Sequence, residues 1–270
     1  MSTAWENIGT FVRRRRAANP GPMTLDGTNS YVVAAPGAAG VVVIDPGPLL
    51  EEHLAELAAA GTVKLILITH HHSDHTEGSA RLHELTGAPV RAALPEFCHG
   101  GDPITHGEII HAGGVILQVL ATPGHTSDSL CFAATTATGD EAVVFTGDTI
   151  LGSGSTVICY PDGTLGDYLA SLDALALWGQ KQHTASVLAL PGHGPELPDL
   201  TQAAQGYQQH RAERIAQVRA AVEHLEQGAE DFPTAAQVTA LVYGDVPENL
   251  KGAAELSVRA QLHYIRTSKA

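Results

Sequence analysis

Cysteine is scarce in this chain. Its 270 residues include three, Cys98, Cys131 and Cys159, and no two form a CxxC pair. That spacing excludes a disulfide framework and a Cys-rich structural zinc site, and predicts free thiols in a reducing compartment, with the cytoplasm as default. Positive charge is also short. Fifteen Lys and Arg stand against 29 Asp and Glu, a formal charge of −14. A field of that sign opposes stable binding to duplex nucleic acid. It leaves single-stranded RNA and phosphorylated substrates open, because bound divalent cations would supply local positive charge. No stretch reaches 18 uninterrupted apolar residues, so no membrane contact is expected. The opening segment lacks the apolar run and small-residue cleavage site of a secretory signal. Its one basic cluster, Arg13 to Arg16, reads as a solvated turn, with an acidic partner as the alternative.

Glycine and proline, by contrast, are plentiful at 28 and 15. Many tight turns between short elements are therefore expected, as in an α/β protein. Tyr31 to Ala34 and Val41 to Ile44 read as strands bounded by turn residues. Leu50 to Ala60 reads as a helix closed by Gly61. Lys64 to Thr69 is a continuous apolar run suited to a strand covered on both faces. Thr76 to Leu85 is the next helix, Pro89 to Ala93 a short strand. Val115 to Ala121, Leu130 to Ala134, Val143 to Thr146 and Val187 to Leu190 are further strands, with a helix over Asp167 to Trp178. Beyond Pro195 the pattern becomes helical: Gly206 to Gln227 with a stripe at Ile215, Val218, Val222 and Leu225, then Thr234 to Leu241, then Asn249 to Ile265. The division expected is 1–202 and 203–270, a core and a small helical unit.

The chemistry sits at strand ends. Thr69-His70-His71-His72-Ser73-Asp74-His75 follows the strongest buried strand, where open α/β sheets place their sites. Alternation in extended backbone points His70 and His72 one way and His71 the other. His125 follows Val115 to Ala121, Asp148 follows Val143 to Thr146, and His193 follows Val187 to Leu190. Imidazoles with carboxylates suit zinc and related metals. Rigid Gly turns at strand ends suit side chains that must converge. Around these, Asp45, Thr69, Thr126 and Asp128 are candidates for steadying a ligand. For Asp45 a plain turn-forming role is the alternative, and Asp128 could equally cap a turn. Ser73 has no G-x-S-x-G surroundings, so a serine nucleophile is not expected.

The HxHxDH run at 70–75, followed by His125, Asp148 and His193, resembles the metallo-β-lactamase fold superfamily over about residues 27–194. The resemblance implies a four-layer αββα sandwich and two divalent metals, Zn2+ first, with Mn2+ or Fe as alternatives. It implies His70, His72 and His125 on the first metal, Asp74, His75 and His193 on the second, and Asp148 bridging them. Asp74 would also orient the nucleophile, a hydroxide between the metals. True zinc β-lactamases commonly carry Cys or Ser at the position matching Asp148 and are exported, which argues against antibiotic hydrolysis. The opening Gly27-Thr28-Asn29-Ser30-Tyr31, the Pro123-Gly124-His125-Thr126 segment, Pro191-Gly192-His193-Gly194-Pro195 and the helical tail resemble the LACTB2-like group. That group implies a winged-helix-like C-terminal unit and endoribonuclease action on single-stranded RNA. The rival is a thioesterase of the hydroxyacylglutathione hydrolase type, which needs basic residues near the site that the sequence does not reveal. A nucleic-acid-binding module is a third reading, opposed by Glu213, Glu223, Glu226, Glu230 and Asp231 in the tail. A small-molecule ester or thioester and single-stranded RNA are thus the candidate substrates. A homodimer is compatible with the tail making a subunit contact.

Overall fold

The computed structural model describes residues 4–182, 186–227 and 231–268; His183 and Glu230 lie outside them. Strand alternation explains the layers. Along β4 (Val41–Ile44), Val42 and Ile44 enter one cluster, whereas Val41 and Val43 enter another. The same split runs along β5 (Val63–Leu67), with Leu65 and Leu67 on the first face and Ile66 on the second. Because both faces are covered, the strands carry no polar side, which is why they read as continuous apolar runs.

Eleven strands form two mixed sheets among the described residues. The first is ordered β1 (Glu6–Ile8), β2 (Val12–Arg16), β3 (Asn29–Val33), β4, β5 and β6 (Val90–Arg91). The second is ordered β11 (Leu188–Pro191), β10 (Ala142–Gly147), β9 (Leu130–Thr136), β8 (Val115–Ala121) and β7 (Ile109–Ala112). Between them lies a core including Tyr31, Val42, Leu67, Leu117, Phe132 and Phe145. Outside the first sheet pack α1 (Glu51–Ala59) and α3 (Ser79–Thr86), through Leu54, Leu57 and Leu82. Outside the second pack α4 (Leu165–Gln180) and the start of α5 (Leu200–Glu226), through Tyr168, Leu172, Leu200 and Ala204. A short α2 (Ser73–Thr76) lies within the histidine segment. This is the expected αββα sandwich.

The tail is helical as expected. The rest of α5, α6 (Ala235–Val242) and α7 (Lys251–Thr267) enclose their own cluster of Val218, Val222, Val238, Val258, Leu262 and Ile265. A capping box of Thr234 and Gln237 starts α6. No strand pair that would make a wing occurs among the described residues of this unit. α5 runs through residues 202 and 203 without a break.

One expectation is overturned. Arg13 to Arg16 is no solvated turn but part of β2, paired on both edges with β1 and β3. Its guanidiniums meet acids of the same chain: Arg14 pairs with Glu6 and Glu196, and Arg15 with Glu56. The aliphatic stems bury while the charged ends are matched internally, so the cluster needs no external partner.

His53 on α1 is buried, with Nε2 2.8 Å from Ser30 Oγ. Burial, assisted by the Arg15 charge, lowers its pKa to about 4. The unfolded chain therefore binds a proton near pH 6.5 that the folded chain refuses. The stability this contributes is present above pH 6.5 and is lost as pH falls towards 4. Between pH 7 and 4.5 the wild-type chain should lose on the order of 2 kcal/mol more stability than His53→Gln in urea titrations. Parallel losses in the two proteins would contradict this role.

Candidate metal centre

Strand direction brings the chemistry to one rim. β4 and β5 are parallel, so Asp45 and the Thr69–His75 segment leave the first sheet at the same end. β3 is antiparallel to them, so its start, with Thr28 and Asn29, lies there too. In the second sheet β8, β10 and β11 share one direction, and His125, Asp148 and His193 follow their ends. Backbone bonds stitch the rims together: Leu130 N donates to Thr69 O, Gly192 N to Gly147 O, and Asn29 N to Gly192 O. Asn29 Nδ2 donates to the carbonyls of Pro191 and Gly194, which holds the His193 turn.

Seven of the sequence candidates come together here. His70, His72, His125 and Asp148 form one group able to hold a metal ion, and Asp74, His75 and His193 form an adjacent one. All are buried except His72 and Asp74, which are partly exposed. The two groups touch through Asp148, whose oxygens lie 3.5 Å from His75 Nε2, 3.4 Å from His193 Nε2 and 3.8 Å from His125 Nε2.

The outward ring nitrogens show which way each imidazole is held. Asp45 sits at φ 51°, a left-handed conformation that Asp tolerates better than most residues. From there Oδ1 accepts from Thr69 N at 2.8 Å, and Oδ2 accepts from Thr69 Oγ1 at 2.7 Å and His75 Nδ1 at 2.8 Å. The Thr69 hydrogen being spent on Asp45, Thr69 Oγ1 accepts from His70 Nδ1 at 3.0 Å. His125 Nδ1 donates to Val157 O at 2.6 Å. His193 Nδ1 faces Gly27 O at 3.4 Å. Four rings thus present Nε2 inward. His72 is reversed and presents Nδ1, 3.1 Å from His70 Nε2 and 3.0 Å from His125 Nε2.

This arrangement fits a metal. His70 Nε2 and His125 Nε2 both offer lone pairs towards one His72 nitrogen, which has at most one hydrogen to share. Asp148 Oδ1 is buried with no hydrogen-bond partner. A divalent cation satisfies all of these at once, and fixed outer nitrogens are the usual support of ligating histidines. The electrostatics divide along the two groups. Burial and neighbouring histidines hold His70 well below its ordinary value and His72 near 4. Burial also pushes His193 down, but Asp148 and Asp74 outweigh it and raise His193 to about 9. Asp74 goes the other way: burial is overcome by His75 and His193, and it falls to about 2.

The four supporting candidates take different places. Asp45 and Thr69 touch His75 and His70 as described. Thr126 Oγ1 donates to Asp128 Oδ1 at 2.7 Å, and Asp128 in turn pairs with His71 Nδ1 at 2.7 Å. Neither touches a ring of the cluster directly. Sequence reasoning passed over Thr28, whose Oγ1 donates to Asp74 Oδ2 at 2.9 Å, and Thr156, whose Oγ1 is 3.1 Å from His125 Nδ1. Cys159 Sγ stands 3.8 Å from His72 Nε2. Thr28 was within reach of the sequence, inside the Gly27-Thr28-Asn29 turn. The contacts of Thr156 and Cys159 depend on a loop whose path no periodicity reports.

Gly192 is where side chains of both groups leave no room for a Cβ. A Cβ there would lie 2.6 Å from Asp148 Oδ1 and 2.6 Å from His75 Cε1, side chains of the two groups. Gly192→Ala should therefore leave far-ultraviolet circular dichroism unchanged while metal content, measured by mass spectrometry, falls by about one ion per chain or more. Two ions retained per chain would contradict this packing.

A family profile described as the metallo-beta-lactamase superfamily matches residues 23–193. An atrochrysone carboxyl ACP thioesterase of Aspergillus chevalieri is 32% identical over 257 residues, covering 91% of this chain and 77% of the relative. A lactamase-like protein, adaB, of Aspergillus niger is 31% identical over 269 residues, covering 92% and 78%. The crystal structure of a metallo-beta-lactamase family protein from Thermus thermophilus superposes with a TM-score of 0.73 at 25% identity, covering 96% of this chain and 94% of that one. A beta-lactamase domain protein from Burkholderia ambifaria shares the fold at a TM-score of 0.79 and 19% identity, covering 98% and 88%. With a profile spanning more than half its length and five histidines of that span converging with two aspartates in metal-holding groups, the chain belongs to the metallo-beta-lactamase superfamily and is a metal-dependent hydrolase.

Proposed function

We propose that this hydrolase cleaves acyl thioesters. The observation that carries the reading is the relatedness over almost the whole chain to proteins named as ACP thioesterases, from Aspergillus chevalieri and Aspergillus fumigatus. The cleft supports it. A cavity of about 310 Å³ touches His125 and Asp148 and is walled mainly by apolar groups, among them Leu25, Leu151, Val246 and Leu250. Such walls suit an acyl chain. The helical tail supplies one side of it, which gives the C-terminal unit a role in shaping the cleft. Single-stranded RNA, expected from the LACTB2-like resemblance, has less support. Stacking platforms are the usual means of holding unpaired bases, and among the described residues lining this cavity Tyr243 is the one Phe, Tyr or Trp.

In this reading His70, His72 and His125 hold one divalent cation, Asp74, His75 and His193 a second, and Asp148 reaches both. The donor set favours zinc, with manganese or iron compatible. Bound there, the cations supply Lewis acidity to the carbonyl and lower the pKa of water. The chain's own residues do the rest. Asp45 and Thr69 hold His75 and His70 in one tautomer and one orientation. Thr28 fixes one oxygen of Asp74, and the low pKa of that carboxylate keeps it ionised at neutral pH. Asp74 is the more exposed of the two carboxylates in the cluster, with 25% of its side chain accessible. It orients the attacking water and takes its proton.

The test is a side-by-side assay of metal-loaded protein on acyl-N-acetylcysteamine thioesters and on single-stranded RNA. Thiol release is expected, with RNA intact. Asp74→Asn should lower thioester turnover by roughly 10²–10⁴ while circular dichroism and metal content are checked. RNA cleavage abolished in His72→Ala, with no thiol release from the wild-type chain, would replace the thioesterase by the nuclease.

A further inference from the structure

α5 places a charge where its pattern asks for an apolar residue. Its buried positions include Ala204, Tyr207, Arg211, Val218 and Val222, and Arg211 is only 2% exposed. The guanidinium lies 5.1 Å from the Tyr168 ring centroid, and Nη2 donates to Thr156 O. Nε is buried with no hydrogen-bond partner. No carboxylate among the described residues forms an ion pair with Arg211, in a chain that carries 29 acids. Nearly one turn further on, Arg214 stands 5.2 Å from the Tyr243 ring and donates to Gln217 Oε1 at 2.8 Å, also without an acidic partner among the described residues. Both arginines line the cavity that reaches His125 and Asp148.

A buried guanidinium without a counter-charge is costly, and a cation–π contact offsets only part of that cost. Two other partly buried arginines meet acids of the same chain, Arg14 with Glu6 and Glu196 and Arg91 with Glu108, while Arg13, which meets none, lies away from the cleft against Ala60 O and the Trp5 ring. The two that face the cleft are left for something else. A guanidinium fork matches a carboxylate or a phosphate, the groups that give it two parallel bonds. Arg211 is also tied to the metal centre. Thr156 accepts from it through its carbonyl and places its hydroxyl 3.1 Å from His125 Nδ1. An anion held by Arg211 therefore sits at a set distance from the histidine cluster.

We infer that Arg211 and Arg214 form an oxyanion-recognising subsite that holds a carboxylate or phosphate of the substrate beside the reaction centre. In its substrate class this rests on the thioesterase reading. The anion can come from either end of a thioester: a carboxylate on the acyl part, or a phosphate on the arm that carries the thiol.

Two matched pairs separate these sources. Valeryl and glutaryl N-acetylcysteamine differ in charge on the acyl side. Valeryl-pantetheine and valeryl-4′-phosphopantetheine differ in charge on the arm. The metal-loaded full chain should favour the charged member of one pair by about tenfold or more in kcat/KM, mainly through KM. Arg214→Gln and Arg211→Met should each erode that preference, and Arg211→Lys should restore part of it. Equal rates within both pairs, or a preference that survives the substitutions, would overturn the subsite. A second readout needs no turnover. Calorimetric titration with glutarate and with inorganic phosphate should show one of them binding about tenfold more weakly to Arg214→Gln than to wild type. That result supports the subsite even if no thioester is cleaved, an outcome that would sink the acyl reading alone. Binding that is absent, or unchanged by the substitution, counts against the subsite whatever the thioesters do.

Discussion

Everything at this site depends on four imidazoles being prevented from turning away from the fifth and from one another. Asp45, Thr69, Val157 O and Gly27 O face the outer nitrogens of His75, His70, His125 and His193, so the inner nitrogens converge on a small buried volume. Left to themselves, those nitrogens oppose one another. His70 and His125 both point at His72, and His75 Nε2 lies 3.3 Å from His193 Nε2. A fold that holds such a cluster together has its stabilisation elsewhere, in the apolar layers on either side of the sheets. It also leaves a standing demand for cations at the rim.

The sandwich meets that demand through direction. Parallel pairing of β4 with β5 sends Asp45 and the His70–His75 segment out of one end of the first sheet, and the shared direction of β8, β10 and β11 does the same for His125, Asp148 and His193 in the second. Asp45 and Gly192 mark how little slack remains. One is a non-glycine residue held in left-handed backbone, the other a position where even a methyl group would collide with both halves of the cluster. The helical tail adds a different element. α5 begins in the core against α4 and continues into the terminal bundle, so Arg211 and Arg214 are fixed to the same framework as the histidines. Cations held at the cluster, together with these arginines, would make the cleft of a strongly acidic chain locally cationic.

Much of this was legible in the residues, for identifiable reasons. Val41–Ile44 and Val115–Ala121 agree with the structure to the residue, because long or turn-bounded β-branched runs leave few alternatives. The seven members of the cluster stood out because each follows a strand. β1, β2 and β7 did not. Glu6–Ile8 is too short to show a period, and Val12–Arg16 hides a half-buried strand behind four arginines, two of which meet acids far off in the sequence. Ile109–Ala112 contains His111 and lies at a sheet edge. The stripe along α5 was read only from Ile215 onward. Carried back from Ile215 in two steps of four it lands on Arg211 and Tyr207, and an arginine on an apolar stripe was the available sign of the cleft. Thr28 and Thr156 contact the cluster by tertiary closure alone, which local pattern does not encode.

The central claim is that the two groups hold two cations side by side, joined through Asp148. Anomalous diffraction from zinc-loaded crystals, recorded on both sides of the metal edge, tests it directly. The account predicts two peaks, one ringed by His70, His72 and His125, the other by Asp74, His75 and His193, with Asp148 contacting both. A single peak, or His125 or His193 rotated out of the rim, would contradict it.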